Sequence, residues 1–179
     1  MTIKHQTLPS ILIVIFICLL APLELRCQTE CRESDSGCKV RQRVREIFQE
    51  ALDQCVTQLP NGVKVSTFVP PSSQQVEQIK SIGDAAIPVL TEFLNADQGF
   101  SFHLSLRFLG ELGGSRIVRP IAGYLKTSGN PLHRIIALNW LNQAPVKDAL
   151  IVARETEQHD PDERVRKAAR ELISELSKK

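Results

Sequence analysis

The sequence predicts an all-α protein built from stacked helical hairpins. Three observations carry that prediction. The second half of the 179-residue chain repeats itself at a period of about 30 residues, in the range that marks repeat architectures. Apolar residues recur at steps of three and four within each unit, the spacing of one helix face. Hydrophobic residues make up 42% of the chain but aromatics only 5%, so the core is drawn from Leu, Ile, Val and Ala, which suits packed helices. A chain of this length is ample for one domain and short for two.

Residues 1–27 read as a signal peptide. Lys4 and His5 give a short basic start, and Ile11 to Leu23 is apolar throughout, interrupted only by Ala21-Pro22. That run falls short of the ~20 apolar residues a membrane span needs, so a cleaved export signal fits better than an uncleaved anchor. Pro22 makes a cut after Ala21 a poor one, and the cut is expected near Arg26 to Gln28. A lipid on Cys27 is the rival reading. Arg26, standing where a small residue is wanted, argues against it. Removing Met1 to Cys27 takes away Lys4, Arg26 and Glu24, so the net charge falls from +2 to +1. So nearly neutral a chain has no basic face of the strength nucleic-acid binding requires. The expected location is periplasmic or secreted.

An oxidising compartment makes disulfides the default use of cysteine. Residues 28–37 form a polar, cysteine-containing lead, and Cys27, Cys31, Cys38 and Cys55 are the disulfide candidates. Residues 38–59 read as one amphipathic helix, with Val40, Val44, Ile47, Phe48, Ala51, Leu52, Cys55, Val56 and Leu59 on one face. Such a helix places Cys38 and Cys55 roughly 25 Å apart at 1.5 Å per residue, far beyond disulfide reach. The surviving pairings bring Cys27 or Cys31 back onto Cys55. There is no C-x-x-C pair and the histidines lie far off in sequence, so no metal and no cofactor is expected. Lys39, Arg41, Arg43 and Arg45 crowd the first turns of this helix, against the helix dipole. They read as a solvated face or a small basic patch for an anionic partner or lipid head groups.

Pro60-Asn61-Gly62 stops the helix. Residues 60–72 read as a linker, extended over Val63 to Val69. Ser72 and Gln75 then form a capping signal, opening the repeat domain at 73–179. Ile82-Gly83-Asp84-Ala85-Ala86-Ile87 recurs as Leu112-Gly113-Gly114-Ser115-Arg116-Ile117, and a third copy runs from Leu141 to Leu150. First helices carry the stripes Leu106, Leu109, Leu112; Ile135, Leu138, Leu141; and Val165, Ala169, Leu172. Second helices carry Ile87, Leu90, Leu94; Ile117, Ile121, Leu125; and Val146, Leu150, Ala153. One hairpin cannot bury both stripes, whereas stacked hairpins can. Asp84 and Ser115 are the expected N-caps of the second helices, and Trp140 is expected in the core.

These passages, with the closing Asp160-Pro161-Asp162-Glu163-Arg164-Val165-Arg166-Lys167-Ala168-Ala169-Arg170, resemble HEAT-like repeats of the phycobilisome-lyase type. The resemblance covers roughly residues 73–179. Asn130-Pro131-Leu132-His133-Arg134 departs from it, lacking the family's Val-Arg pair. It implies a right-handed α-α superhelix of about three hairpins, with an N-terminal helix and a C-terminal capping helix. It also implies a binding surface more than a reaction.

No catalytic constellation appears: there is no G-x-S-x-G, H-E-x-x-H or phosphate loop. His103 and His133 hold equivalent positions in successive repeats, which reads as coincidence of the repeat before it reads as a metal pair. Glu111 reads as a solvent-facing acid, and the charges of the last helix, Arg166 among them, as a solubilising face. The expected function is a non-catalytic scaffold for an unidentified protein partner. Its contact face is the second-helix row, the concave side in HEAT-like proteins, with Arg116, Arg119, Tyr124, Lys126, Lys147 and Arg154 as candidates. Membrane contact is expected only through an uncleaved signal or a lipid on Cys27. The competing readings are a bilin-lyase-like enzyme or accessory subunit, implied by the resemblance, and a structural envelope module.

Overall fold

The computed structural model describes residues 36–96 and 99–179. The chain divides into two compact units, Met1–Cys38 and Lys39–Lys179. Almost all of the first unit, and with it the expected signal peptide, Cys27 and Cys31, lies outside the described residues.

Helix α1 (Ser36–Asp53) buries Val44, Ile47, Phe48 and Ala51, the face its spacing predicts. Phe48 stacks flat on Phe93 at 3.9 Å between ring centroids, and Arg45 pairs with Glu92 at 2.7 Å. The helix stops at Asp53, short of the expected Leu59, because the chain turns there into a β-hairpin. Strand β1 (Val56–Gln58) pairs antiparallel with β2 (Lys64–Ser66), Val56 facing Ser66 and Gln58 facing Lys64. The Pro60-Asn61-Gly62 signal is thus a hairpin turn and not the helix stop expected of it. Gly62 takes φ 80°, a conformation open chiefly to glycine. The Asn61 side chain accepts from the Val63 N–H at 3.1 Å, and the Leu59 N–H donates to the Val63 carbonyl at 2.8 Å.

Cys55 sits at the junction of helix and hairpin, and its placement corrects the disulfide reading. It is a free thiol, 1% exposed. Its Sγ lies 3.6 Å from the Ala51 carbonyl oxygen and accepts from the Val69 N–H at 3.4 Å. Cys55 closes the apolar face of α1, so its side chain points into the core. The exclusion of a Cys38–Cys55 bond stands, since α1 runs unbroken past Cys38.

The remaining helices are α2 (Ser73–Ile82), α3 (Ile87–Asn95), α4 (Gly99–Leu112), α5 (Val118–Thr127), α6 (Pro131–Trp140), α7 (Val146–His159) and α8 (Glu163–Leu176). Their packing follows the repeat. The first helices α2, α4, α6 and α8 touch one after another, as do the second helices α3, α5 and α7. The two rows join where a second helix packs on the next first helix, α3 on α4, α5 on α6 and α7 on α8. The apolar stripes meet between the rows: Leu90, Leu94, Leu106, Leu109, Ile117, Ile121, Leu138 and Ala153 are all buried.

Local chemistry sets the ends of these helices. Ser72 and Gln75 form the predicted capping box at α2. Asn130 and Asp162 cap α6 and α8 through their side chains. Asp84 and Ser115 are not caps. Each lies in a 3₁₀ turn, Gly83–Ala86 and Gly114–Ile117, and the cap positions of α3 and α5 carry no side-chain hydrogen bond. Their polar groups reach across to neighbouring repeats instead. Trp140 is half-buried against the core, and its ring occupies the space a Cβ on Gly110 would fill. Glu111 is not a solvent-facing acid: it bridges Arg107 at 2.8 Å and Lys80 of α2 at 3.4 Å.

The turns before α6 and α8 are built alike. The residue two before the cap, Ser128 or Asp160, accepts from the cap residue's N–H. An arginine one turn into the helix then donates to that residue's carbonyl: Arg134 to Ser128 at 2.8 Å, Arg166 to Asp160 at 2.7 Å. Arg134 is therefore the counterpart of Arg166, and this repeat lacks only the valine of the Val-Arg pair. Arg166 is part of a turn as well as part of a solubilising face.

Candidate functional site

The second-helix row presents an exposed surface crossed by bonds between repeats. Arg116 pairs with Asp84 at 2.5 Å, and Ser115 Oγ donates to the Asp148 carboxylate at 3.0 Å. Lys126 of α5 pairs with Glu155 of α7 at 2.8 Å. That ammonium holds the Glu155 carboxyl below its ordinary range. Each pair ties one repeat to the next at the surface, where such pairs contribute little stability individually.

Between α5 and α7 lies an open groove of about 210 Å³, walled by Leu125, Lys126, Val152, Glu155, Thr156 and His159. Its floor is apolar and its rim carries the Lys126–Glu155 pair. His159 is held against its own helix, with Nδ1 3.0 Å from the Glu155 carbonyl oxygen. No serine or cysteine lines the groove. Its lining combines apolar side chains with charged hydrogen-bonding groups at the edge.

The six candidates divide. Arg116, Arg119, Lys126, Lys147 and Arg154 are exposed on this row as expected. Arg116 and Lys126 are engaged in the pairs above, while Arg119, Lys147 and Arg154 form no ion pair among the described residues. Tyr124 is a correction. It is 1% exposed, packed beside Phe102 with ring centroids 5.3 Å apart, and its hydroxyl accepts from Ser128 Oγ at 3.0 Å. Residues 121, 124 and 125 lie on one face of α5, so Tyr124 turns inward with Ile121. A buried Tyr124 cannot touch a partner.

Ile151 was missed. It is 60% exposed and lies one turn from both Lys147 and Glu155 on the outer side of α7. The signal was present: with Val146, Leu150 and Ala153 turned inward, the helix phase leaves Ile151 out. Ile151 thus adds an exposed apolar side chain to this face, one turn from Lys147, Asp148, Arg154 and Glu155.

On the first-helix row the structure brings together a second group. His103 of α4 and His133 of α6 have ring centroids 6.1 Å apart. Their equivalent repeat positions thus become spatial neighbours. Among the described residues, no group of three or more His, Cys, Asp or Glu side chains is placed to hold a metal ion. No described helix is long and apolar enough to cross a membrane.

Comparison with protein-family models and with curated proteins finds no match for this chain.

Proposed function

We propose that the chain is a non-catalytic, HEAT-like α-solenoid that is exported and binds a protein partner through its second-helix row. The observation that carries the reading is the groove between α5 and α7. Its apolar floor lies beside Ile151, with Arg119, Lys147 and Arg154 free to pair. Arginines beside an exposed apolar residue are the composition of binding hot spots. Row-on-row packing of first and second helices supports the solenoid part of the proposal, since neighbouring hairpins bury each other's stripes. The apolar Ile11 to Leu23 run supports export. In an oxidising compartment the disulfide candidates reduce to Cys27, Cys31 and Cys38, because Cys55 is a buried thiol.

The test is cross-linking pull-down with tagged full chain, comparing the parent with Arg119→Glu/Arg154→Glu and with Ile151→Asp. One protein enriched by the parent and lost by both variants supports the reading. The same protein retained by both places the partner elsewhere on the molecule and overturns the assignment of this face. Arg116→Glu is a poor probe, because it also breaks the pair with Asp84.

A further inference from the structure

We propose that His103 and His133 form a two-imidazole binding site for a late first-row divalent transition ion, with water completing its coordination. Imidazole nitrogens suit Zn, Cu, Fe and Ni. Zn–N bonds of about 2.0–2.1 Å allow one ion to join two rings whose centroids stand 6.1 Å apart.

The surroundings are built to hold these rings. His133 lies flat on Phe102, 4.2 Å between centroids and 9° between planes. His103 is T-shaped to Phe68, 5.7 Å between centroids, and to Phe102, 5.1 Å. Stacking engages ring faces, whereas a metal bond uses an in-plane nitrogen. Each imidazole has two such nitrogens, so one can ligate while the other holds a hydrogen bond that fixes the ring. Phe102 in turn is fully buried and rests beside Tyr124, so the platform is part of the core. Both imidazoles are half-buried and reachable from solvent.

Burial first, and the neighbouring His133 second, hold His103 below the ordinary histidine range. His103 is therefore neutral at pH 7, the form that ligates. Two imidazoles crowded in an aromatic wall repel each other when protonated and share an ion when neutral.

The probe is copper(II), added to the full chain carrying His5→Gln and His159→Gln, so that only the pair remains among histidines. Binding is read by titration calorimetry and by the nitrogen couplings in the electron paramagnetic resonance spectrum. One equivalent bound, with two imidazole nitrogens coupled, is the expected result. His103→Phe and His133→Phe keep a ring in each place and are checked for folding by circular dichroism. Each folded variant should bind at least tenfold more weakly and lose one coupled nitrogen. The proposal is overturned if the histidine-depleted parent binds no copper. It is equally overturned if the spectrum shows sulfur or single-nitrogen ligation, or if both folded phenylalanine variants bind as tightly as the parent. Should either variant fail to fold, the parent spectrum alone decides, since it counts the nitrogens directly.

Discussion

Arg134 on α6 grips the Asp160 carboxylate with two hydrogen bonds of 2.8 Å, and both side chains are almost wholly buried. The same guanidinium donates to the Ser128 carbonyl. One side chain thus joins the turn before its own helix to the turn before α8. Removing one member of a buried pair leaves the other charge without compensation, at a cost of about 3–5 kcal/mol. Arg134→Met and Asp160→Ala should each lower stability by that order in urea unfolding. Arg134→Lys should not rescue, because an ammonium cannot reproduce the two-pronged geometry. The double variant should lose less than the sum of the two single losses.

Gly110 stands in the last turn of α4, and inside a helix alanine is normally better than glycine by ~0.5–1 kcal/mol. Here the sign reverses. A Cβ at Gly110 would come within 2.2 Å of the Trp140 ring, and a rigid indole cannot yield without repacking. Gly110→Ala should destabilise by about 1–3 kcal/mol, the usual range for overpacking, seen as a lower Tm. Adding Trp140→Leu should recover part of that loss.

Acid should weaken the fold through His103 before any carboxylate titrates. Folded His103 takes its proton at lower pH than the same residue in the unfolded chain, where the ordinary value is 6.5. The unfolded state therefore binds more protons as pH falls, and stability falls with it. The contribution is fully present above pH 6.5 and declines below it. The urea midpoint should drop as pH falls from neutrality through 6.5, and should drop less in His103→Phe.

Cys55 should be inert to alkylation in the native protein and react only on unfolding, because its thiol is enclosed among Ala51, Val69 and the core. Peptide mass mapping after native iodoacetamide treatment checks this. Modification of Cys55 at the rate of an exposed thiol would contradict the packing described.

The helices and their inward stripes were legible because period and capping are local properties. Ser72 with Gln75, and Leu106 with Leu109, announce themselves within one turn. The β-hairpin was not, because Val56 and Leu59 continue the helical spacing of α1 and their pairing with residues 63–66 depends on a turn that also reads as a helix stop. The Arg134–Asp160 pair spans 26 residues, and nothing local to either residue names the other. Tyr124 was readable from its phase with Ile117 and Ile121. The histidine pair was legible as a repeat position, while its enclosure by Phe68 and Phe102 depends on packing. The division of the candidate cations into engaged and free likewise required their partners, Asp84 and Glu155, to be placed.

The turn staple has a consequence for how the molecule opens. Arg134 cannot leave Asp160 without loosening both turns it holds, so α5 through α8 should breathe as one cooperative block, its amides exchanging with solvent at a common slow rate. The hairpin has no such tie. Val56, Leu59, Val63 and Val65 are all exposed, and its short ladder should exchange earliest. The same gradient makes the loop around Asn61 the first place a protease would nick the chain, while the stapled block stays closed.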